Sequence, residues 1–367
     1  MQKIDVAAYI WPAYTGDEPR TRIFWEEGIG EWQTVKNCLK EKEGGYKWDR
    51  SPLWGYVNEA DPYVMSMEIE AAVDHGVNVF IYDWYWYESA PFLENCLNDG
   101  FLKAPNNKKM KFYLMWANHS VNYTWDIRNS DLPDTRIWSG IVDRKEFEVI
   151  GKRWIEKYFV LDNYYRIDNK PVISIYDMKN FIQNFGSVEE TRAAVDWLDN
   201  EARKHGLDGV HFQYVKINGL AAQITGVDGN VFELDAEVSQ KLGFSSITHY
   251  QYCHICDINR PYNEIMVDVK KEWEVASSFG DLKYFPHVSI GWDNNPRFKK
   301  FRPGITTNNE PEVFKAALED AKALAEKLNV SLVTINSWNE WTETSYLEPD
   351  NVYGYGYLEK VREVFKK

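Results

Sequence analysis

The chain has 367 residues, of which 44% are hydrophobic and 27% charged, and a formal net charge of −14. That balance suits a soluble globular protein with an ample core, and the negative charge makes phosphate backbones and anionic membranes poor partners. The longest apolar runs, such as Val77 to Tyr82, are strand-length, which excludes a membrane-spanning helix.

Residues 1 to 10 read as a strand with neither a basic start nor a leader-like apolar run. The chain as it stands is therefore expected in the cytoplasm, or is the trimmed form of an exported protein. Ile4 to Ile10 is the first strand, and Asp61 to His75 a helix opened by Asp61-Pro62 as cap and first position. The second strand, Val77 to Tyr82, precedes a helix around Ala90 to Leu102. Lys111 to Trp116 is the third, with a helix from Arg144 to Tyr158. Pro171 to Tyr176 is the fourth, followed by a helix from Ser187 to His205 in which Ser187 and Glu190 form a capping box. Val210 to Val215, the fifth, leads to a shorter segment near Leu220 to Thr225 and an irregular stretch from Gly226 to Gly243. Ser246 to Tyr250 with Pro261 to Ser278 makes the sixth unit. Tyr284 to Ile290 with Pro311 to Leu328 makes the seventh, and Leu332 to Asn336 with Tyr355 to Lys366 the eighth. Eight strand–helix units predict an α/β fold, the (β/α)₈ or TIM barrel. No repeat, low-complexity tract or linker divides it, so residues 1–367 read as one domain.

Helix-to-strand turns are short, as at His75-Gly76-Val77, whereas the strand-to-helix loops are long: 11 to 60, 117 to 143, 226 to 244, 291 to 310 and 337 to 354. In barrels those loops build the working face at the C-terminal strand ends. Tryptophan follows them. Of 16, only Trp154, Trp197 and Trp273 fall in predicted helices, and the rest are expected to offer stacking platforms around an open cleft.

Four cysteines make no disulfide framework in a chain of this size. Cys253-His254-Ile255-Cys256 is a single C-x-x-C with no second pair, so no metal site and no cofactor are assigned to it.

The densest chemistry lies behind the eighth strand, in Asn336-Ser337-Trp338-Asn339-Glu340-Trp341-Thr342-Glu343 and Tyr346-Leu347-Glu348-Pro349. Paired carboxylates suit glycosidic cleavage, one protonating the departing oxygen and the other handling a proton or a cationic centre, while indoles stack on sugar C–H faces. Glu340 and Glu343 are the candidate catalytic pair, with Trp338, Asn339, Trp341 and Glu348 as substrate contacts. Other strand ends add Asp83, Trp84 and Trp86 after strand two, and Trp116 and Asn118 after strand three, with His119 more structural. His249, Tyr250 and Tyr252 follow strand six, and Trp292, Asp293 and Arg297 follow strand seven. Asp293 and Arg297 could pair to shape their loop or touch a sugar. Gly28-Ile29-Gly30-Glu31-Trp32 in the first long loop is expected to form a cleft wall.

Asn339-Glu340-Trp341-x-Glu343, Leu347-Glu348-Pro349 and Tyr353-Gly354-Tyr355 together resemble the C-terminal signature of glycoside hydrolase family 99-like proteins, within them the WbsX-like branch of polysaccharide gene clusters. Gly291-Trp292-Asp293-Asn294-x-Pro296-Arg297, Trp116-Ala117-Asn118 and Gly30-Glu31-Trp32 match in the same order. The resemblance implies a barrel that cleaves α-mannoside-type linkages with retention, Glu340 as general base and Glu343 as general acid. It also implies an unusual route, in which the base deprotonates the substrate's own 2-hydroxyl to give a 1,2-anhydro sugar that water then opens. Two positions depart from the pattern: His119-Ser120-Val121 stands where the branch commonly has Glu-Asn-Trp, and Thr342 where endo-mannosidases have His. The expected partner is an oligosaccharide or polysaccharide.

Alternatives from other classes are a glycosyltransferase of surface-polysaccharide synthesis, which lacks a nucleotide-sugar signature here, and a non-catalytic carbohydrate-binding barrel. Within hydrolases, Asp177 and Asp293 are the alternative pair, at the strand-four and strand-seven ends.

Overall fold

The apolar run Asp5–Ile10 forms β1 and lies between two parallel neighbours. The computed structural model describes residues 3–131, 136–217, 223–225, 231–233 and 236–366. Its main sheet is curled and parallel along a path of nine strands. After β1 these are β2 (Val79–Tyr87), β3 (Lys111–Trp116), β4 (Lys170–Ile175), β5 (His211–Lys216), β6 (Ser246–His249), β7 (Lys283–Tyr284), β8 (His287–Ser289) and β9 (Leu332–Asn336). The hydrogen-bonded order is β7-β6-β5-β4-β3-β2-β1-β9-β8.

The two ends of that path are consecutive in the chain. The expected seventh strand is split at Phe285-Pro286: the first half pairs with β6 and the second with β9. Proline has no N–H to give a ladder. The Pro286 carbonyl still accepts from Thr334 N at 3.0 Å, and Phe285 N donates to the Ile247 carbonyl at 2.9 Å.

The principal helices are α1 (Pro62–Asp74), α2 (Arg144–Trp154), α3 (Val188–Lys204), α4 (Tyr262–Ser277), α5 (Pro311–Leu328) and α6 (Gly356–Phe365), each close to its expected place. Their starts follow from the residues. The Asp61 carboxylate accepts from Tyr63 N with Pro62 at the first position, and Ser187 Oγ accepts from Glu190 N. The helix expected around Ala90 to Leu102 is cut short. Ala90–Phe92 pairs back onto β2, leaving only Cys96–Phe101 helical. Of the stretch expected near Leu220 to Thr225, residues 218–222 lie outside the described residues, and Gln223–Thr225 is a strand. The stretch expected to be irregular contains strand Val231–Glu233 and helix Ala236–Lys241. No helix among the described residues is long and apolar enough to cross a membrane.

Inside the curl the sheet is polar. Ser174 Oγ and Tyr113 Oη donate to Gln213 Oε1 at 2.6 and 3.2 Å, and His287 Nδ1 lies 2.9 Å from Thr334 Oγ1. Outside, apolar and aromatic side chains meet the helices: Trp84 packs edge-on to Trp154 of α2, as does Trp116. Along β2 every residue is buried. Its two faces therefore look alike in hydrophobicity, although one faces the curl and the other the helices.

Candidate active site

At the C-terminal strand ends the loops enclose a cavity of about 200 Å³. Its wall includes Trp11 after β1, Asp83 and Tyr85 on β2, and Met115 and Ala117 at the end of β3. His119 and Trp125 follow β3, Tyr176 follows β4 and Tyr250 follows β6. Arg297, Glu340 and Glu343 complete it. The volume is below the ~300–1,000 Å³ of drug-sized pockets and suits one ring-sized group.

The charged centre is a single guanidinium shared by three carboxylates. Arg297 Nη2 donates to Glu340 Oε1 at 2.8 Å, Nη1 to Glu343 Oε1 at 2.6 Å, and Nε to Glu31 Oε1 at 3.1 Å. Glu31 also accepts from Trp11 Nε1 at 2.5 Å and from Thr342 Oγ1 at 3.1 Å. Gly30, at φ +59°, sets Glu31 in place; a Cβ there would lie 1.9 Å from the Ala13 carbonyl oxygen. The expected Asp293–Arg297 pair does not form, because Arg297 is taken up by the glutamates.

The loop that carries Glu340 and Glu343 is anchored from β1. Trp11 N donates to Asn339 Oδ1 at 2.7 Å and Asn339 Nδ2 returns a bond to the Trp11 carbonyl at 2.9 Å. Asn339–Glu340 then pairs with Ser345–Tyr346, and a tight turn through Trp341–Glu343 ends at Thr344 with φ +53°. That hairpin turns Glu340 and Glu343 to the same cavity.

Asp83 joins Glu340 and Glu343 on the cavity wall, while the guanidinium itself is held by Glu31, Glu340 and Glu343. Burial works against the Arg297 charge, yet the glutamates outweigh it and hold the group ionised. Burial first, then repulsion from Glu343, pushes Glu340 well above the usual carboxylate range against the pull of Arg297. Glu343 is raised by burial too, with Arg297 opposing. Asp83 is likewise raised well above its usual value by burial, although Tyr250 Oη donates to its Oδ2 at 2.9 Å; its Oδ1 takes no hydrogen bond. Burial thus shifts these carboxyls toward their protonated forms, and the site presents hydrogen-bonding oxygens to a neutral ligand.

Asp83, Arg297, Glu340 and Glu343 are thus brought together, with Tyr250 and His119 on the same wall, and the other candidates lie outside its lining. The tryptophans correct the expected stacking platforms. Trp84 donates to Glu94, Trp86 to Glu146, Trp338 to Glu68 and Trp341 to Glu348, all with their rings buried. Trp116 stacks on Phe147, and Trp292, half-buried, does not line the cavity. Asn118 brackets the backbone of Asp177, donating to its carbonyl and accepting from its N–H. His249 faces Glu272 and Tyr284, and Tyr252 packs on His287. Glu348 sits in a second carboxylate cluster. The alternative pair is not assembled either. Asp177 caps the helix Met178–Phe185, and Asp293 accepts from Asn295 and Tyr46.

What the sequence reading missed is mostly the opposite parity of what it named. Tyr85 shares a face with Asp83, and Met115 and Ala117 flank Trp116, so fixing one inward residue would have found them. Tyr250 stood among the residues named after strand six. Trp125 carried no signal beyond its place in a long loop.

A family model described as Glycosyltransferase WbsX matches residues 6–361. The chain belongs to the WbsX family. Among curated proteins, this WbsX-family chain is 25% identical over 361 residues to "Uncharacterized protein WxcX" of Xanthomonas campestris pv. campestris. That match covers 95% of the chain and 48% of the relative, so the chain spans about half the length of the curated relatives it matches. Among solved structures it resembles a "Glycoside hydrolase-like protein" with TM-score 0.65 and 15% identity, covering 100% of this chain and 95% of that one. It also resembles the GH99 endo-alpha-mannosidase from Bacteroides thetaiotaomicron with TM-score 0.61 and 13% identity, covering 99% and 97%. At these identities the WbsX-family chain shares a fold with both.

Trp84→Phe tests the corrected role of the buried indoles. Loss of one donor to Glu94, which keeps Arg153 and Tyr158, is expected to cost about 1–2 kcal/mol in denaturant unfolding and to leave KM within about twofold. A tenfold rise in KM would return that ring to the binding surface.

Proposed function

We propose that this chain is a glycoside hydrolase that cleaves α-linked, mannoside-type glycans with retention. The observation that carries this reading is that Glu340 and Glu343 face one cavity and are bridged by one guanidinium. Family membership and the shared fold with a GH99 endo-alpha-mannosidase support it. The same likeness supports reading the sheet as a closed eight-stranded barrel in one domain, with β7 and β8 as one strand split at Pro286.

In the proposed reaction one carboxylate takes the proton of the substrate's 2-hydroxyl. The freed oxygen attacks the anomeric carbon as the leaving sugar oxygen takes a proton from the other carboxyl, giving a 1,2-anhydro sugar. Water opens that ring with the proton transfers reversed. Asp83, with Oδ1 free and buried, binds a sugar hydroxyl. By resemblance Glu340 is the base and Glu343 the acid.

A second reading is glycosyl transfer, favoured by the family's description. Incubating purified protein with α-mannans and bacterial surface glycans, with and without nucleotide-sugar donors, separates the two. Sugar release without a donor is expected. Turnover that appears only with a nucleotide-activated sugar would establish transfer, and tight glycan binding without turnover would establish a binding module.

A further inference from the structure

The loop that carries Glu340 and Glu343 turns a second set of side chains away from the cavity. There Glu59, Glu68 and Glu348 each offer a carboxyl oxygen within 4.8 Å of the other two. All three are buried, at 0%, 0% and 3% exposure. Trp338 Nε1 donates to Glu68 Oε2 at 3.0 Å, and Trp341 Nε1 to Glu348 Oε2 at 2.5 Å. Asn339 Nδ2 donates to both oxygens of Glu59 at 2.9 and 3.0 Å, and Cys96 Sγ lies 3.5 Å from Glu59 Oε2. Oε1 of Glu68 and Oε1 of Glu348 take no hydrogen bond, and no cationic side chain among the described residues pairs with the three.

Three buried carboxylates without a counter-charge cannot persist, since taking each from water costs several kcal/mol. Protons or a cation must therefore neutralise the cluster. The N–H donors favour the ionised form of each carboxylate. They also hold one oxygen of Glu68 and Glu348 while leaving the other free, as outer donors orient the ligands of a metal ion.

We propose that Glu59, Glu68 and Glu348 form a structural site for one hard divalent cation of the calcium class, with Glu68 Oε1 and Glu348 Oε1 among its ligands. The donors are oxygens lying within 4.8 Å of one another, close enough to share one ion, and a hard all-oxygen set suits calcium. Magnesium holds shorter distances and keeps several waters, which a fully buried site does not readily supply. The Cys96 thiol donates to Glu59 Oε2 at 3.5 Å and does not stand among the three grouped donors, so the set lacks the soft sulfur that selects a transition metal. The ion touches no substrate. It fixes Trp338, Asn339 and Trp341, which flank Glu340, and so positions the catalytic loop from behind. Glu59, Glu68 and Glu348 have no metal-ligand spacing in the sequence, so only the fold assembles them.

The test uses the full chain, stripped with a chelator and then melted with added calcium chloride, alongside metal analysis of protein dialysed after calcium loading. One calcium per chain and a rise in Tm of roughly 3 °C or more at saturation are expected. Magnesium at the same concentration should give less than half that shift; an equal shift overturns the calcium assignment. Glu68→Gln should abolish both the retained ion and the shift. Should that variant fail to fold, the wild-type measurements decide. No retained ion and no calcium-dependent shift in the wild type overturn the proposal and leave the cluster neutralised by protons.

Discussion

Glu340→Gln is expected to lower turnover on every glycoside by on the order of 10²- to 10⁴-fold. Glu343→Gln should do so only where the leaving group is poor. Deprotonating the attacking hydroxyl is needed whatever departs, so the base has no substrate that can spare it. A general acid matters most when the departing oxygen belongs to another sugar, and little when the leaving group is fluoride. Each glutamine keeps a carbonyl oxygen for Arg297, so the loop is expected to hold its shape, which unchanged melting would check. The measurement is kcat for each variant on a natural glycan and on an activated glycosyl fluoride. The mirror-image pattern would make Glu340 the acid. Equal losses on both substrates would leave the separation of roles without support, and wild-type rates in either variant would remove that residue from the chemistry.

Arg297→Met has the second large effect. It strips the counter-charge from Glu31, Glu340 and Glu343 while keeping much of the side-chain volume. Removing one partner of a buried pair costs about 3–5 kcal/mol, or roughly 4–7 °C in Tm for a chain this long. The pH dependence has a definite sign. Arg297 pulls the carboxyls of Glu340 and Glu343 downward, so its loss lifts them further above their unfolded values. Groups raised in the folded state contribute stability below the unfolded value and lose it as pH climbs through the folded value. The deficit of the variant should therefore grow from pH 5 to pH 8. The acid limb of its kcat/KM profile, which reports a group that must ionise in the free enzyme, should move to higher pH. A wild-type melting curve at pH 8 together with an unmoved acid limb would show that Arg297 is not the counter-ion.

The alternation of strand and helix was legible because each strand is an apolar run closed by turn residues, and each long helix carries its own start signal. Asp61-Pro62 and the Ser187–Glu190 box act locally, so their meaning does not depend on the rest of the fold. The split at Pro286 was legible as a proline, but its pairing with two different neighbours was not. The charged heart of the site was legible for a similar reason, since Glu340, Glu343 and Arg297 stand in compact motifs. Side-chain direction was not. Val79–Tyr87 is buried on both faces, so no period-two contrast says whether Asp83 and Tyr85 or Trp84 and Trp86 point inward. Aromatic rings are as useful against helices as against sugars. Here the indoles went to the helices or to buried glutamates, and the rings around the cavity are mainly Tyr85, Tyr176, Tyr250, Trp11 and Trp125. Glu59 and Glu68 were invisible altogether, because their partners lie about 280 residues away.

The bond between Trp11 and Asn339 joins positions 328 residues apart, and β1 pairs along one edge with β9. During synthesis that edge of β1 has no intended partner until residues 332–336 emerge from the ribosome. Loop closure over such a span is slow, and an unpaired strand edge invites association with other chains. Nascent chains stalled before β9 would thus expose a sticky N-terminal edge, and chaperones that shield it should govern the yield of this protein more than the rate of its final packing.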